Sequence, residues 1–348
     1  TFTFYLKEGV QWSDGVKMTA RDFIYSWKRL LTQKTAASYA YLLFDIVGAK
    51  DFYDGKITDF SKVGVKALND LTLEVKLSEP IAHWLQMTAF WVTFPLREDL
   101  VEKYGNDWVK PGKMQTLGPF VLSEYELDSK IILKKNPKYT RARGEIDEAV
   151  GLIVRDDSTA ITLFETGRLD FMADLPTLDL KRFRGRPEFK VFPYLKIVFV
   201  GFSQKHSEVS SAALRRAFAM SIDKSKIPEL LFGSQEPATT FVPPKVLGHV
   251  DSAGLPFDPK RAREELSASH WKKPKKTLEI MIINRERNQL LAQFLQQEVR
   301  KNLGVDIDII GFDNKTYRAQ LAQSASPIYI LSWSADFPDP DNFLSVHL

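Results

Sequence analysis

Cysteine is absent from the 348 residues, which excludes disulfides, thiolate metal sites and cysteine nucleophiles. A thiol-free chain suits an oxidising compartment without requiring one. Histidine is scarce: His83, His206, His249, His270 and His347 are scattered, with no H-E-x-x-H run and no i, i+4 pair, so no metal site is expected. No apolar run approaches the roughly 20 residues that a membrane-spanning helix needs. The phosphate-binding patterns G-x-x-x-x-G-K-[ST] and G-x-G-x-x-G are missing. So is the nucleophile elbow, since Gly201-Phe202-Ser203-Gln204-Lys205 lacks the second glycine. No catalytic residue and no cofactor are therefore expected. No signal-peptide pattern is present. Thr1 lies inside an alternating strand and Asn342-Phe343-Leu344 opens a helix near the other end, so a piece of a longer protein is expected.

Charge of either sign is in small excess only: 48 basic against 44 acidic residues leave +4. The densest basic run, Lys272, Lys273, Lys275 and Lys276 around Pro274, reads as a solvated loop. With no longer Lys/Arg stripe, a nucleic-acid partner is not expected. What the chain does have is apolar bulk, with 44% hydrophobic residues and 24 Phe, 11 Tyr and 7 Trp. At this length two or three domains are expected.

Phe2, Phe4 and Leu6 alternate as in a half-buried strand. Trp12-Ser13-Asp14-Gly15 supplies a turn, and Thr19 with Asp22 caps the helix that follows. Phe23, Ile24, Trp27, Leu30 and Leu31 form its apolar stripe. Tyr25 falls opposite, where an aromatic is packed on another element, bound to a ligand, or exposed. Leu71 to Leu77 alternate as a second strand, a helix is expected over 97–104, and Gly112 to Gly118 reads as a domain crossing. Short strands are expected at 119–127, 130–135, 150–154, 169–172 and 189–193, with a helix over 158–166 among them. Residues 195–203 read as a strand buried on both faces.

In the last third, Leu214, Phe218 and Ile222 space a helix, and another is expected over 259–268. A β-α-β-α-β run follows, with strands at 277–283, 305–310 and 328–333 and helices at about 287–302 and 315–324. Strands alternating with helices predict a parallel sheet with right-handed crossovers. Ligands of such sheets bind at the carboxyl ends of the strands. Asn284-Arg285-Glu286-Arg287 and Ser332-Trp333-Ser334-Ala335-Asp336 fall at those ends. Asp339 and Asp341 read as a Pro/Asp turn, because the spacing and missing glycine do not fit a calcium loop.

These residues carry a family resemblance. Trp12-Ser13-Asp14-Gly15 with Met18 to Trp27 resembles the opening signature of the family 5 solute-binding proteins of ABC importers, the oligopeptide, dipeptide and nickel receptors. Thr116 to Phe120, Phe164 to Asp170, Leu214 to Lys224 and Trp333-Ser334-Ala335-Asp336 keep the family order across the whole chain. The resemblance implies an α/β periplasmic-binding-protein-like fold, two lobes joined by a hinge with an extra subdomain, in a chain lacking both termini. Residues 1–117 would be the extra subdomain, 118–203 part of the first lobe and 204–348 most of the second.

The implied function is that of a periplasmic or lipid-anchored peptide receptor, acting as a monomer. It would enclose a short peptide between its lobes and deliver it to an ABC permease in the inner membrane. Asp336 matches the aspartate that pairs with the peptide α-ammonium group. Ser332, Trp333 and Ser334 would pair with the peptide backbone as an added strand. Tyr25 matches an aromatic lining the cleft, and Phe202 at the lobe crossing is expected to face it. Asn284 and Arg287 are placed at the site by the strand-end argument alone. The chain departs from the pattern at 327–331, where oligopeptide members carry a cation, and at Gly201, often acidic elsewhere. Arg285 or Arg287 is then left to receive a ligand carboxylate. Other readings are a receptor for a sugar, nickel chelate or other small solute, a sensor domain behind a helix-turn-helix, and a hydrolase.

Overall fold

The structure is a computed structural model and describes residues 1–142, 144–233, 235–269, 271 and 277–345. The basic run at Lys272, Lys273, Lys275 and Lys276, with Pro274, and also His270 and His347 lie outside the described residues. The backbone divides into two compact units, Thr1–Asp156 and Asp157–Leu348. Gly112 to Gly118 thus lies inside the first unit, and 118–203 is shared between the two.

In the first unit, β1 (Phe2–Tyr5), β2 (Val65–Asn69) and β3 (Thr72–Val75) form an antiparallel sheet in the order β1-β3-β2. Helix α1 (Ala20–Leu31) starts where the Asp22 carboxylate accepts the Thr19 N–H at 2.9 Å, so the expected capping contact is made. Its inward face is narrower than the stripe read from the sequence. Trp27 and Leu31 are buried with Ser26, whose hydroxyl donates to the Phe94 carbonyl at 2.6 Å. The Trp27 indole donates to Thr93 O at 2.8 Å, and its ring stands edge-on to Trp84. Helix α2 (Glu98–Tyr104) follows, and β4 (Phe120–Glu126), β5 (Lys130–Lys135) and β6 (Glu148–Leu152) make a second antiparallel sheet.

The second unit opens with α3 (Asp157–Glu165). The strands expected at 169–172 and 189–193 do not form. Phe171 and Phe192 are 77% and 78% exposed, and an apolar run with no ladder to join stays irregular whatever its propensity. The rest is β7 (Lys196–Phe202), α4 (Ala212–Ser221), α5 (Pro259–Ala268), β8 (Leu278–Ile283), α6 (Glu286–Leu303), β9 (Ile307–Phe312), α7 (Asn314–Ser324), β10 (Ile328–Ser334) and α8 (Asp341–Leu344).

The sheet order is β7-β10-β8-β9. As expected, β8 runs parallel to both β9 and β10. Strand β7 joins the edge antiparallel, over seven pairs from Ile328↔Phe202 to Ser334↔Lys196. It is not buried on both faces as the sequence indicated, because it is an edge strand with Val198 45% exposed. One face of the sheet packs Leu278, Ile280, Ile282, Ile328 and Ile330 against Leu214 and Phe218 of α4 and Leu291, Leu295 and Val299 of α6. Each such side chain contributes about 1.5–3 kcal/mol of burial. The other face sets Met281 against Tyr317 of α7. Gly304, in the left-handed region at φ 69°, ends α6 and donates to Arg300 O.

Candidate ligand-binding site

The site is assembled on β10. Antiparallel pairing alternates the backbone groups of successive residues between the two sides of a strand. Ala335 N–H donates to Leu195 O at 2.8 Å and Ser203 N–H to Pro327 O at 3.0 Å. With the register between them, the odd-numbered residues of β10 face β7 and the even-numbered ones face away. On that far side, pairing with β8 stops at Tyr329↔Met281. The Ile330 carbonyl is taken by the Tyr317 hydroxyl at 2.6 Å. Beyond it, among the described residues, no strand pairs with the edge on which Ser332 and Ser334 present their N–H and C=O groups. An open parallel-strand end of this kind accepts one more strand.

The edge ends in a half-buried carboxylate, that of Asp336. Asn342, fully buried on α8, accepts two hydrogen bonds on Oδ1: from the Asp336 N–H at 2.8 Å and from the Trp333 indole at 3.2 Å. One side chain therefore fixes both the last turn of the strand and its aromatic ring. Asp336 Oδ2 is shielded from solvent and has no hydrogen-bond partner. Burial pushes the Asp336 carboxyl above its ordinary value, a pull that Asn342 opposes. A buried anion without a partner is costly unless a cation reaches it. Asp339 Oδ1 accepts the Asp341 N–H at 3.0 Å in the expected turn.

The other expected residues are distributed unevenly. Asn284 extends the β8–β9 pairing through N–H to Phe312 O at 2.7 Å, and its side chain accepts from Gln289 at 3.0 Å. Arg287, half-buried, sits in the first turn of α6 at the same carboxyl end of the sheet. Phe202 does not join them. Antiparallel pairing sets it opposite Ile328, at the far end of β10 from Asp336. Its ring stacks edge-on against Phe218 at 5.7 Å within the core. Tyr25 belongs to the first unit, where its hydroxyl donates to Glu102 Oε1 at 3.1 Å. Burial and that carboxylate push the Tyr25 phenol up to about 12.

Two participants escaped the sequence reading. Asn342 carries no signal of its role, since an Asn opening a short helix after a Pro/Asp turn does not show which groups it will hold. Glu286 lies in the 284–287 segment at the strand end. Its Oε2 accepts the Thr177 N–H at 3.1 Å, while Oε1 is buried and unpartnered. Gly201 also gains a reason. The Tyr329 ring lies across it, 2.2 Å from where a Cβ would stand, so any side chain there must displace that ring.

The second unit thus has an α/β sheet with an open strand edge and a carboxylate at its end. The chain belongs to the bacterial extracellular solute-binding proteins of family 5, whose sequence profile (the "Middle" region) matches residues 1–348. The oligopeptide-binding protein OppA of Bacillus subtilis is 29% identical, over 99% of this chain and 66% of its own length. The probable deoxycholate-binding periplasmic protein YgiS of Escherichia coli is likewise 29% identical, over 99% of this chain and 66% of its own. Among solved structures, the periplasmic oligopeptide-binding protein OppAIV of Borrelia burgdorferi superposes with a TM-score of 0.89 at 26% identity, covering 99% of this chain and 70% of that one. The chain thus spans about two thirds of the length of the curated relatives it matches. No helix among the described residues is long and apolar enough to cross a membrane.

Proposed function

We propose that this chain is the ligand-binding part of a peptide receptor serving an ABC importer. The observation that carries the reading is the half-buried Asp336 carboxylate, whose Oδ2 is shielded from solvent without a hydrogen-bond partner at the end of an unpaired strand edge. A peptide offers both missing partners. Its α-ammonium group neutralises Asp336 through charge-assisted hydrogen bonds, and its backbone pairs with Ser332 and Ser334 as an added strand. Main-chain pairing reads no side chains, so many sequences are accepted. The family and its oligopeptide-binding members support the same reading and an extracytoplasmic location; a monomer, periplasmic or lipid-anchored, that delivers its ligand to a permease completes the proposal. Arg287 and Asn284, at the same end of the sheet, are the groups we assign to the rest of the ligand. A bile acid carries no ammonium group, so Asp336 disfavours the cargo named for YgiS.

Calorimetric titration with trialanine and with N-acetyl-trialanine tests the reading. Acetylation or Asp336→Asn weakens binding by about 2 kcal/mol or more, roughly thirtyfold, as when one partner of a buried charge pair is removed. Equal affinity for the two ligands, or an unimpaired Asp336→Asn variant, refutes it.

A further inference from the structure

The strand end that carries Trp333 and Asp336 stands on a loop that the binding reading does not use. Val242 and Val246 of that loop are buried with Ile197 and Phe343, and Trp333, Ala335 and Phe199 pack against this cluster. Phe343 is next in sequence to Asn342, the residue that holds both the Trp333 indole and the Asp336 N–H. Gly248 of the loop approaches Pro340, just before α8. Any loosening of the loop therefore reaches Asp336 through Phe343 and Asn342.

A single imidazole closes the loop. His249 Nδ1 lies 2.7 Å from the Val242 carbonyl, and Nε2 lies 2.8 Å from Asp251 Oδ1. Thr240 Oγ1 also approaches Nδ1, at 3.3 Å, but donates its own proton to the same Val242 carbonyl at 3.0 Å. The ring thus meets an oxygen acceptor on each side. A neutral imidazole has one N–H and can satisfy only one of them; the imidazolium satisfies both. Among the described residues, the charged group acting on the ring is Asp251. The His249 side chain is 14% exposed and that of Asp251 95%. The inner acceptor is thus shielded and the outer one faces water, and the anionic Asp251 competes with Val242 for the single N–H of the neutral ring.

We infer that His249 is a positioning residue for the ligand site: it latches the 242–249 loop under Trp333 and Asp336, and the latch holds best when the ring is protonated. The Val242 carbonyl and the Asp251 carboxylate both hold the ring's proton, in that order, which raises its pKa. The latch tightens as pH falls and loosens as pH rises past the range where histidine ordinarily titrates. The functional meaning of the latch rests on the ligand role proposed for Asp336; the latch itself does not.

The test accordingly leaves ligand out. Amide hydrogen exchange of the 333–343 segment in the 348-residue chain, corrected for the intrinsic rate, is followed at about pH 6 and about pH 8. In the wild type the segment opens about fivefold more readily at the higher pH, the worth of one net hydrogen bond. His249→Ala opens readily at both. His249→Asn keeps a donor for the Val242 carbonyl but cannot titrate, so it restores protection and abolishes the pH step. Asp251→Ala frees the neutral ring to serve Val242 alone and abolishes the step as well. Wild-type protection in His249→Ala at the lower pH, or a wild-type pH step in either of the other variants, overturns the inference. Should His249→Ala not fold, the latter two variants decide alone. Trialanine titration then separates the two readings. Loss of the pH step with no peptide binding in the wild type sinks the receptor reading and leaves the latch standing.

Discussion

At the scale of the residue, Asp336 is the most informative side chain, because its environment destabilises the charge it carries at neutral pH. Its folded-state pKa is raised, chiefly by burial. The folded protein therefore binds that proton more tightly than the unfolded chain, and stability falls as pH rises from the ordinary carboxylate range through the raised folded value. Above that value the full cost of an unpaired buried charge is present; below the unfolded value it is gone. Asp336→Asn removes this term. The ligand-free variant is expected to melt higher than wild type at neutral pH, by roughly 2–4 °C per ~1 kcal/mol recovered, with the difference vanishing at low pH. Calorimetric melting across pH measures it. Gly201 makes the opposite point. A Cβ there runs into the Tyr329 ring, so Gly201→Ala is expected to cost about 1–3 kcal/mol, as overpacking does, and chemical denaturation reads it directly.

At the scale of the element, β10 has two edges with different duties. The odd-numbered residues hold β7, and Ser332 and Ser334 face the open side. Proline removes one N–H, so its effect depends on which edge loses the donor. Ser332→Pro is expected to weaken trialanine binding about two- to tenfold, one hydrogen bond's worth, with little change in melting. Trp333→Pro breaks the β7 ladder and the Asn342 contact together, and is expected to lower the melting point sharply. Comparable losses of stability in both variants would mean the two sides of β10 are not distinct. Elements with strong periodicity were legible beforehand: α1, α6, α7 and β8 to β10 fall within a few residues of their expected spans. The apolar stretches at 169–172 and 189–193 were not, since the sequence shows propensity but not whether a partner strand exists.

At the scale of the whole molecule, a peptide that binds the folded chain alone stabilises it by mass action. Trialanine at about a hundred times its dissociation constant is expected to add about 2.7 kcal/mol, visible as a rise in the thermal transition. N-acetyl-trialanine at the same concentration should add far less, and equal shifts would separate stabilisation from the Asp336 pairing. Apolar periodicity, Gly and Pro punctuation and the order of motifs were sufficient to specify the strand–helix alternation and the family, because these are local patterns read along the chain. They also located Asp336 and Trp333 at a strand end. Only the tertiary structure decided that Phe202 sits at the far end of β10, that Asn342 grips Asp336, and that His249 closes the loop beneath them. Those facts depend on strand register and on contacts between residues distant in sequence, and a one-residue change of register would exchange every inward and outward group.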